Sequence, residues 1–379
     1  MKKILSHVQA KQQETVALIR RLVECESPTD DAGAVNRFVD LITAEVQGEA
    51  DIRTYPGGTF GRHLRLEFRL PGRRKTRQLL LLGHSDTVWP LGTLARMSFR
   101  ERDGRLWGPG VLDMKSGIAF AIQAARALRE LDIPVSRRVV LLLNADEEVG
   151  SDSSRPLTER EARRSAAVLV LEPGTGLEGK LKTERKGIGG FKVSVAGRAS
   201  HAGVDFAAGA SAIVELARQI AVIAGFTDLD RGITVNPGVI RGGSRSNVVA
   251  DEASADVDFR FVRQKDGAGL ERKFRSLRPI DKRCRLTVEG GVNRPPMERS
   301  RAGLELFRHA RDLGRTVGLD IAESSTGGGS DGNFTAALGI PTLDGLGGVG
   351  EGAHALNESI LTDRIADRTA MIAALLSVL

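Results

Sequence analysis

Three almost uninterrupted apolar runs, each leading into acidic or imidazole side chains, constrain this chain more than anything else in it. QLLLLG at 78–83 leads into His84, RRVVLLLN at 137–144 leads into Asp146, Glu147 and Glu148, and AAVLVLE at 166–172 ends on Glu172. A strand with one face in water alternates apolar and polar residues, whereas a run without alternation suits a strand covered on both faces. HLRLEFRL at 63–70 does alternate. Residues 8–24 (Val8, Val16, Ile19, Leu22, Val23) and 34–46 (Val35, Phe38, Val39, Ile42) carry apolar positions at helical spacing. Residues 115–130 place Ile118, Ala121, Ile122, Ala125 and Leu128 on one helical side. Strands alternating with helices predict an α/β domain.

From about residue 186 the order changes to strand 189–196, helix 208–223, strand 232–240, strand 253–261, helix 268–277 and strand 283–289. This βαββαβ order predicts an α+β, ferredoxin-like domain. The pattern breaks near Asn293-Arg294-Pro295-Pro296. A helix at 302–317, a Gly-rich loop and a helix near 361–377 then resume the first style. A chain of 379 residues is too long for one ordinary core. We therefore expect a discontinuous first domain, 1–185 plus 297–379, interrupted by an inserted domain at 186–296.

Composition narrows the classes. The hydrophobic fraction of 41% and charged fraction of 27% are those of a soluble globular chain, and no run of about 18 apolar residues could span a bilayer. The opening MKKILSHVQAKQQETV has two lysines, but its apolar stretch stops at Ser6 and His7, so no signal peptide is expected and a cytoplasmic location is. Cys25 and Cys284 lie far apart without CxxC spacing, which suggests neither a disulfide framework nor a thiolate metal site. The net charge of +7 raises nucleic-acid binding, yet the arginines scatter through the expected helices and aromatics make up only 4%. Neither a nucleic-acid nor a membrane partner is expected.

Open α/β sheets gather ligands just past the carboxyl ends of their strands. His84 and Asp86, Glu147 and Glu148, and Glu172 all follow such strands, and Asp113 lies in the Gly-rich turn GPGVLDMKSG. That many converging carboxylates demand a counter-charge. Imidazole and carboxylate without sulfur suit zinc in a catalytic site. A pair of metals about 3.5–4 Å apart would lower the pKa of a water between them and polarise a carbonyl. His354 in GEGAHALNE can complete the set.

At this point the chain resembles a known family: the dinuclear zinc peptidases that include glutamate carboxypeptidases, aminoacylases, acetylornithine deacetylases and succinyl-diaminopimelate desuccinylases. GHSDTV, GPGVLDMKSG, NADEEVGS, LEPG, SHAG, SNVVADEASADVDFR and GAHALNE occur in order, the resemblance spanning about residues 15–375. TGGGSDGNF followed by IPTLDGLGGVGEGAHALNE most resembles the bacterial glutamate carboxypeptidases. The resemblance implies a zinc-peptidase catalytic domain, a mixed central sheet flanked by helices, with an inserted dimerisation domain. It implies two Zn2+ per subunit, with Co2+ or Mn2+ as substitutes: one held by His84, Asp113 and Glu172, the other by Glu148, His354 and the bridging Asp113. Asp86 would orient His84 through its other ring nitrogen, and Glu147 would be the general base. His201 of SHAG would stabilise the oxyanion, supplied with Asn247 by the partner subunit of a homodimer. Arg260 in DFR would bind the substrate carboxylate through two parallel hydrogen bonds, and Gly327, Gly328 and Gly329 would add backbone N–H donors. The implied activity is cleavage of an amide next to a free carboxylate in a small-molecule or peptide substrate, releasing C-terminal glutamate. An N-acyl-amino-acid deacylase or deacetylase of the same family is the alternative.

Each residue also has a plainer reading. Glu147-Glu148 could open a solvated helix, where the macrodipole favours acids. Glu172 could open a turn. His201 could belong to the N-cap region of the helix expected from 208, and Arg260 could pair with Asp256 or Asp258. The glycines at 327–329 could form a simple turn. His7, His63 and His309 are expected to be structural or exposed.

Overall fold

The computed structural model describes residues 1–73 and 77–379, and these divide into two compact units. One comprises Met1–Glu184, Arg299–Ser325 and Ser330–Leu379; the other comprises Arg185–Glu298 with Thr326–Gly329. The glycine loop at 326–329 thus falls in the second unit, whereas the expected boundaries left it in the first. The reason is local bonding: Arg185 donates to the carbonyls of Gly328 (3.3 Å) and Gly329 (2.7 Å), and the Lys186 N–H donates to Thr326 O.

In the first unit a six-stranded sheet runs in the order Ala50–Pro56, Arg62–Phe68, Val139–Asn144, Gln78–His84, Ser165–Val170, Thr342–Leu343. Arg62–Phe68 is antiparallel to both neighbours, and the four strands from Val139–Asn144 to Thr342–Leu343 pair in parallel. The apolar runs behave as their composition requires. Leu79, Leu81, Leu141, Leu143 and Leu169 enter a core shared with the helices Gln12–Glu24, Ser116–Glu130 and Ile365–Val378. Their sequence neighbours Leu80, Leu82, Val140, Leu142, Val168 and Val170 enter a second core with Leu157 and Ala162 of the helix Arg155–Arg163. Burial on both faces leaves only the strand ends for polar chemistry.

Two features were not foreseen. The helix expected over 8–24 is two helices, Lys2–Ala10 and Gln12–Glu24, parted at Lys11 (φ −100°, ψ 11°). No Gly or Pro marks the break, so the apolar spacing runs through it. A small antiparallel sheet of Gly350–Glu351, Ser359–Leu361, Arg105–Trp107 and Arg100–Arg102 also forms. Its strands are too short to show a period, yet it sets the hairpin carrying His354 against the strand that leads into the Asp113 turn.

The second unit is a four-stranded antiparallel sheet in the order Thr234–Gly242, Glu252–Phe261, Gly187–Ala196, Arg285–Arg294, with helices Ala212–Ala224 and Gln264–Arg275. Alternation along Glu252–Phe261 sends Ala253, Ala255, Val257, Phe259 and Phe261 into a core with Leu216, Leu270 and Phe274. Phe274 stacks on Phe191 and Phe259, with ring centroids 4.3 and 5.8 Å away. Gly189 makes room for this packing: a Cβ there would lie 2.1 Å from the Phe259 ring.

Candidate functional site

Three neighbouring parallel strands deliver acids and imidazole to one edge of the large sheet. His84 ends Gln78–His84, Glu147 and Glu148 open the 3-10 turn Glu147–Val149 after Val139–Asn144, and Glu172 lies two residues beyond Ser165–Val170. Glu147 and Glu148 are therefore not at the start of a long solvated helix. Asp113 comes from the irregular turn before Ser116–Glu130 and is joined to Met114 by a cis peptide. His354 sits in the loop of the small-sheet hairpin with φ +61°, in the left-handed region.

These residues form two triads, His84–Asp113–Glu172 and Asp113–Glu148–His354, each with its ligand-type atoms within 4.8 Å of one another. Asp113 belongs to both. Its Oδ1 lies 3.1 Å from His84 Nε2, which is also 3.6 Å from Glu172 Oε1. Its Oδ2 lies 3.3 Å from His354 Nε2, which is 3.4 Å from Glu148 Oε2. One carboxylate thus turns one oxygen to each histidine. Among the described residues, Glu148 Oε1 is buried without a hydrogen-bond partner. Imidazole nitrogen and carboxylate oxygen without thiolate, with a buried oxygen in need of a partner, fit divalent cations of the zinc kind.

The electrostatics agree with that fit. His354 is pushed up to about 10, first by its bond to Asp113 and then by Glu148. Burial would lower His84, but hydrogen bonds to Asp113, Asp86 and Glu172 outweigh it and hold the imidazole well above its ordinary value. Burial likewise opposes ionisation of Asp113, and the bonds from His354 and His84 overcome it, keeping the carboxyl well below the usual range. Glu148 is raised, burial being the largest influence. A raised proton affinity at two imidazoles among carboxylates marks excess negative charge, and cations binding there would compete with protons for the same nitrogens.

Asp86 does more than face one ring. His84 Nδ1 is 2.9 Å from the Asp86 backbone carbonyl and 3.4 Å from its carboxylate. That carboxylate accepts the N–H groups of Glu147 (3.3 Å) and Glu148 (3.2 Å) and the Thr29 hydroxyl (2.8 Å). It therefore fixes the turn that presents both glutamates.

In the second unit, His201 and Asn247 come together through adjacent backbone, the Ala202 N–H donating to Asn247 O at 2.9 Å. His201 is not the cap of the following helix, which starts at Ala212 with Ser211 accepting from the Val214 N–H. Instead its Nδ1 accepts the N–H groups of Gly203 (3.1 Å) and Val204 (3.2 Å), which leaves the proton on Nε2. Arg260 does pair with Asp258, at 2.9 Å from both Nε and Nη2, and Nη1 donates to Gly327 O at 3.3 Å. Of the three glycines only Gly329 is sterically required, since a Cβ there would lie 2.5 Å from Ile188.

Residues 80–378 match the model of peptidase family M20/M25/M40. The chain belongs to this family. Carboxypeptidase G2 of Pseudomonas sp. (strain RS-16) is 29% identical over 357 residues, which cover 91% of this chain and 84% of that one. An acetylornithine deacetylase of Myxococcus xanthus is 33% identical over 196 residues, 48% of this chain and 50% of that one. Among solved structures, aminopeptidase PepT of Bacillus cereus ATCC 10987 shares the fold with a TM-score of 0.79, at 22% identity over 97% of this chain and 98% of that one. The resemblance and the fold class read from sequence are borne out. As an M20 member the chain is a metal-dependent hydrolase of the peptidase class. No helix among the described residues is long and apolar enough to cross a membrane.

Sequence reasoning about this M20 peptidase passed over two buried groups. His63, taken as structural or exposed, is buried beside the Glu147 loop: its Nδ1 accepts the Ala145 N–H at 3.1 Å and its Nε2 lies 3.2 Å from Ser153 Oγ, which donates to Asp146 at 2.7 Å. Alternation put it on the same face as Arg65 and Glu67, so the pattern gave no sign of its burial. The other is Glu358, inside the GAHALNE motif yet unassigned; an acid in a polar loop carries no sequence signal of burial.

Proposed function

We propose that this chain is a dinuclear metal-dependent carboxypeptidase that cleaves an amide next to a free carboxylate and releases C-terminal glutamate from N-acyl or peptidyl substrates. The observation that carries the metal part is the position of Asp113, one oxygen toward His84 and the other toward His354. His84, Asp113 and Glu172 would hold one Zn2+, and Asp113, Glu148 and His354 the other. Bound there, the cations would supply the charge that makes a water acidic and a carbonyl electrophilic near neutral pH. Glu147, outside both triads but presented by the same turn, takes the water proton and returns it to the leaving amine. His201, with its proton on Nε2, donates to the oxyanion. Asn247 stands with it, and both serve the partner subunit of a homodimer.

Arg260 recognises the substrate carboxylate. Asp258 and Gly327 O take three of its five N–H groups, leaving one on each terminal nitrogen, the arrangement a carboxylate accepts in parallel. The N–H groups of Gly327 and Gly329 add donors to the same end of the substrate, and that of Gly328 joins them on leaving the Thr326 hydroxyl, to which it donates at 3.4 Å. The likeness to carboxypeptidase G2 over most of both chains supports specificity on the carboxylate side. The deacetylase match over half the chain supports the second reading, specificity on the acyl side.

One experiment separates the readings: metal analysis of the purified chain, followed by hydrolysis of N-acyl-glutamate, N-acyl-aspartate and neutral N-acyl amino acids. We expect two metals per subunit and a preference for glutamate whatever the acyl group. Preference for one acyl group across all three amino acids would favour the deacylase, and a metal-free chain inert toward the whole panel would overturn both.

A further inference from the structure

Glu358 lies four residues after His354, and its carboxylate is fully buried. Its Oε1 accepts the backbone N–H groups of Leu112 (2.9 Å) and Asp113 (3.0 Å); its Oε2 accepts the Gly110 N–H (2.8 Å) and the Trp89 indole N–H (2.7 Å). No lysine, arginine or histidine among the described residues lies within ion-pair distance of it, and the buried Lys115 ammonium, which bonds to Cys25 O, acts on it only through longer-range attraction. Burying a carboxylate without a cation is expensive unless every lone pair is used, and here four donors converge on two oxygens. Apolar packing could hold a loop at lower cost, so the use of a charge calls for a reason.

The four donors supply one. Trp89 follows the His84–Asp86 segment, Gly110–Asp113 is the turn that carries the shared aspartate, and Glu358 itself anchors the hairpin loop of His354. A single carboxylate therefore ties together three segments, bearing His84, Asp113 and His354. The turn needs such a tie. Asp113 (φ −116°, ψ 93°) and Met114 (φ −135°, ψ 36°) leave the helical region, Gly110 has φ +72°, and the N–H of Asp113 bonds to Glu358.

We propose that Glu358 is a positioning residue of the metal centre: by fixing the backbone of residues 110–113 relative to His354, it sets the direction of both Asp113 oxygens. This rests on the dinuclear reading. Only an ionised carboxylate can take all four hydrogens. In Glu358→Gln, either orientation of the amide turns an NH2 toward two N–H donors, so the variant keeps the volume and loses the tie.

The test is zinc binding to the chelator-stripped full chain, read by competition with a chromophoric chelator, together with the visible spectrum of the Co2+-loaded protein. Wild type should bind two ions. Glu358→Gln should bind them about 10- to 100-fold more weakly, as expected when the groups that orient ligands are lost, and with an altered Co2+ spectrum. Glu161→Gln serves as the control: it removes another buried carboxylate, bonded to Arg65 and Gln78, and should leave zinc affinity and spectrum unchanged. A folded Glu358→Gln variant with wild-type affinity and spectrum overturns the proposal, as does a loss no larger than that of the control. Should Glu358→Gln fail to fold, Trp89→Phe removes one donor and keeps the carboxylate; a several-fold fall supports the proposal, and unchanged affinity overturns it. A wild-type chain that binds no zinc overturns the dinuclear reading itself, and that failure shows before any variant is compared.

Discussion

Glu147 and Glu148 are adjacent in sequence, yet only Glu148 belongs to a triad, with Oε2 3.4 Å from His354 Nε2. That separation makes the two substitutions distinguishable. Glu147→Gln should lower kcat by about 10²- to 10⁴-fold, the usual contribution of a general base, with metal content unchanged by elemental analysis. A variant retaining most of its turnover would remove Glu147 from the role. Arg260 poses the opposite problem, because its bonds to Asp258 would exist with or without substrate. Arg260→Lys keeps the charge and loses the fork, so KM for an N-acyl-glutamate should rise about 10-fold or more, the worth of a charged hydrogen bond, while kcat changes less. If KM stays put, the guanidinium is a strand-face partner of Asp258 and nothing more.

The elements around the site are held by polar staples as well as by apolar cores. Arg65 of the strand Arg62–Phe68, Gln78 of Gln78–His84 and Glu161 of the helix Arg155–Arg163 meet at Glu161 Oε2, with 3.1 Å from both donors. Burial pushes the Glu161 carboxyl up, but the bonds from Gln78 and then Arg65 outweigh it and leave it below its ordinary value of 4.5. A lowered folded value means stabilisation that is complete above the unfolded value and lost as pH falls through the folded one. Glu161→Gln should therefore cost about 1–3 kcal/mol at pH 7, and urea unfolding should show the gap to wild type closing below pH 4.5. A gap that persists at the acid end would mean that the charge is not its source. The same elements show what sequence can and cannot reveal. Leu79 to Leu82 and Val139 to Leu143 announce two-faced burial because nothing polar interrupts them, so the large sheet and the residues past its strand ends were legible. The small sheet was not: Arg100–Arg102 and Arg105–Trp107 have no room for a period. Asp113 and His354 stood out only by residue type in Gly-rich loops, and their shares in the two metal sites came through resemblance, since turns lack periodicity altogether. Glu358 escaped because its role depends on three backbone amides and an indole that no pattern of side chains records.

Across the whole molecule, each unit has a core of its own: Leu81, Ile118 and Met371 belong to one, Phe191, Phe259 and Phe274 to the other. Both metal triads lie within the first unit. A cation held about 100-fold above its Kd stabilises its host by about 2.7 kcal/mol, which for a unit of this size raises its melting point by roughly 5–10 °C. Calorimetry should resolve two transitions, and a chelator should move only the one belonging to the first unit. Two transitions unmoved by the chelator would argue that the triads hold no tightly bound ion. His201 and Asn247 belong to the other unit, and their assignment to the partner's site has a sharper consequence. In a dimer of one Glu147→Gln chain and one His201→Ala chain, the site on the second chain keeps its own Glu147 and borrows His201 from the first. Neither homodimer has an intact site, so a co-refolded equal mixture should recover about a quarter of wild-type activity, half its dimers carrying one working site of two. If His201 serves its own chain, every site in the mixture lacks one group, and mixing the two inactive chains restores nothing.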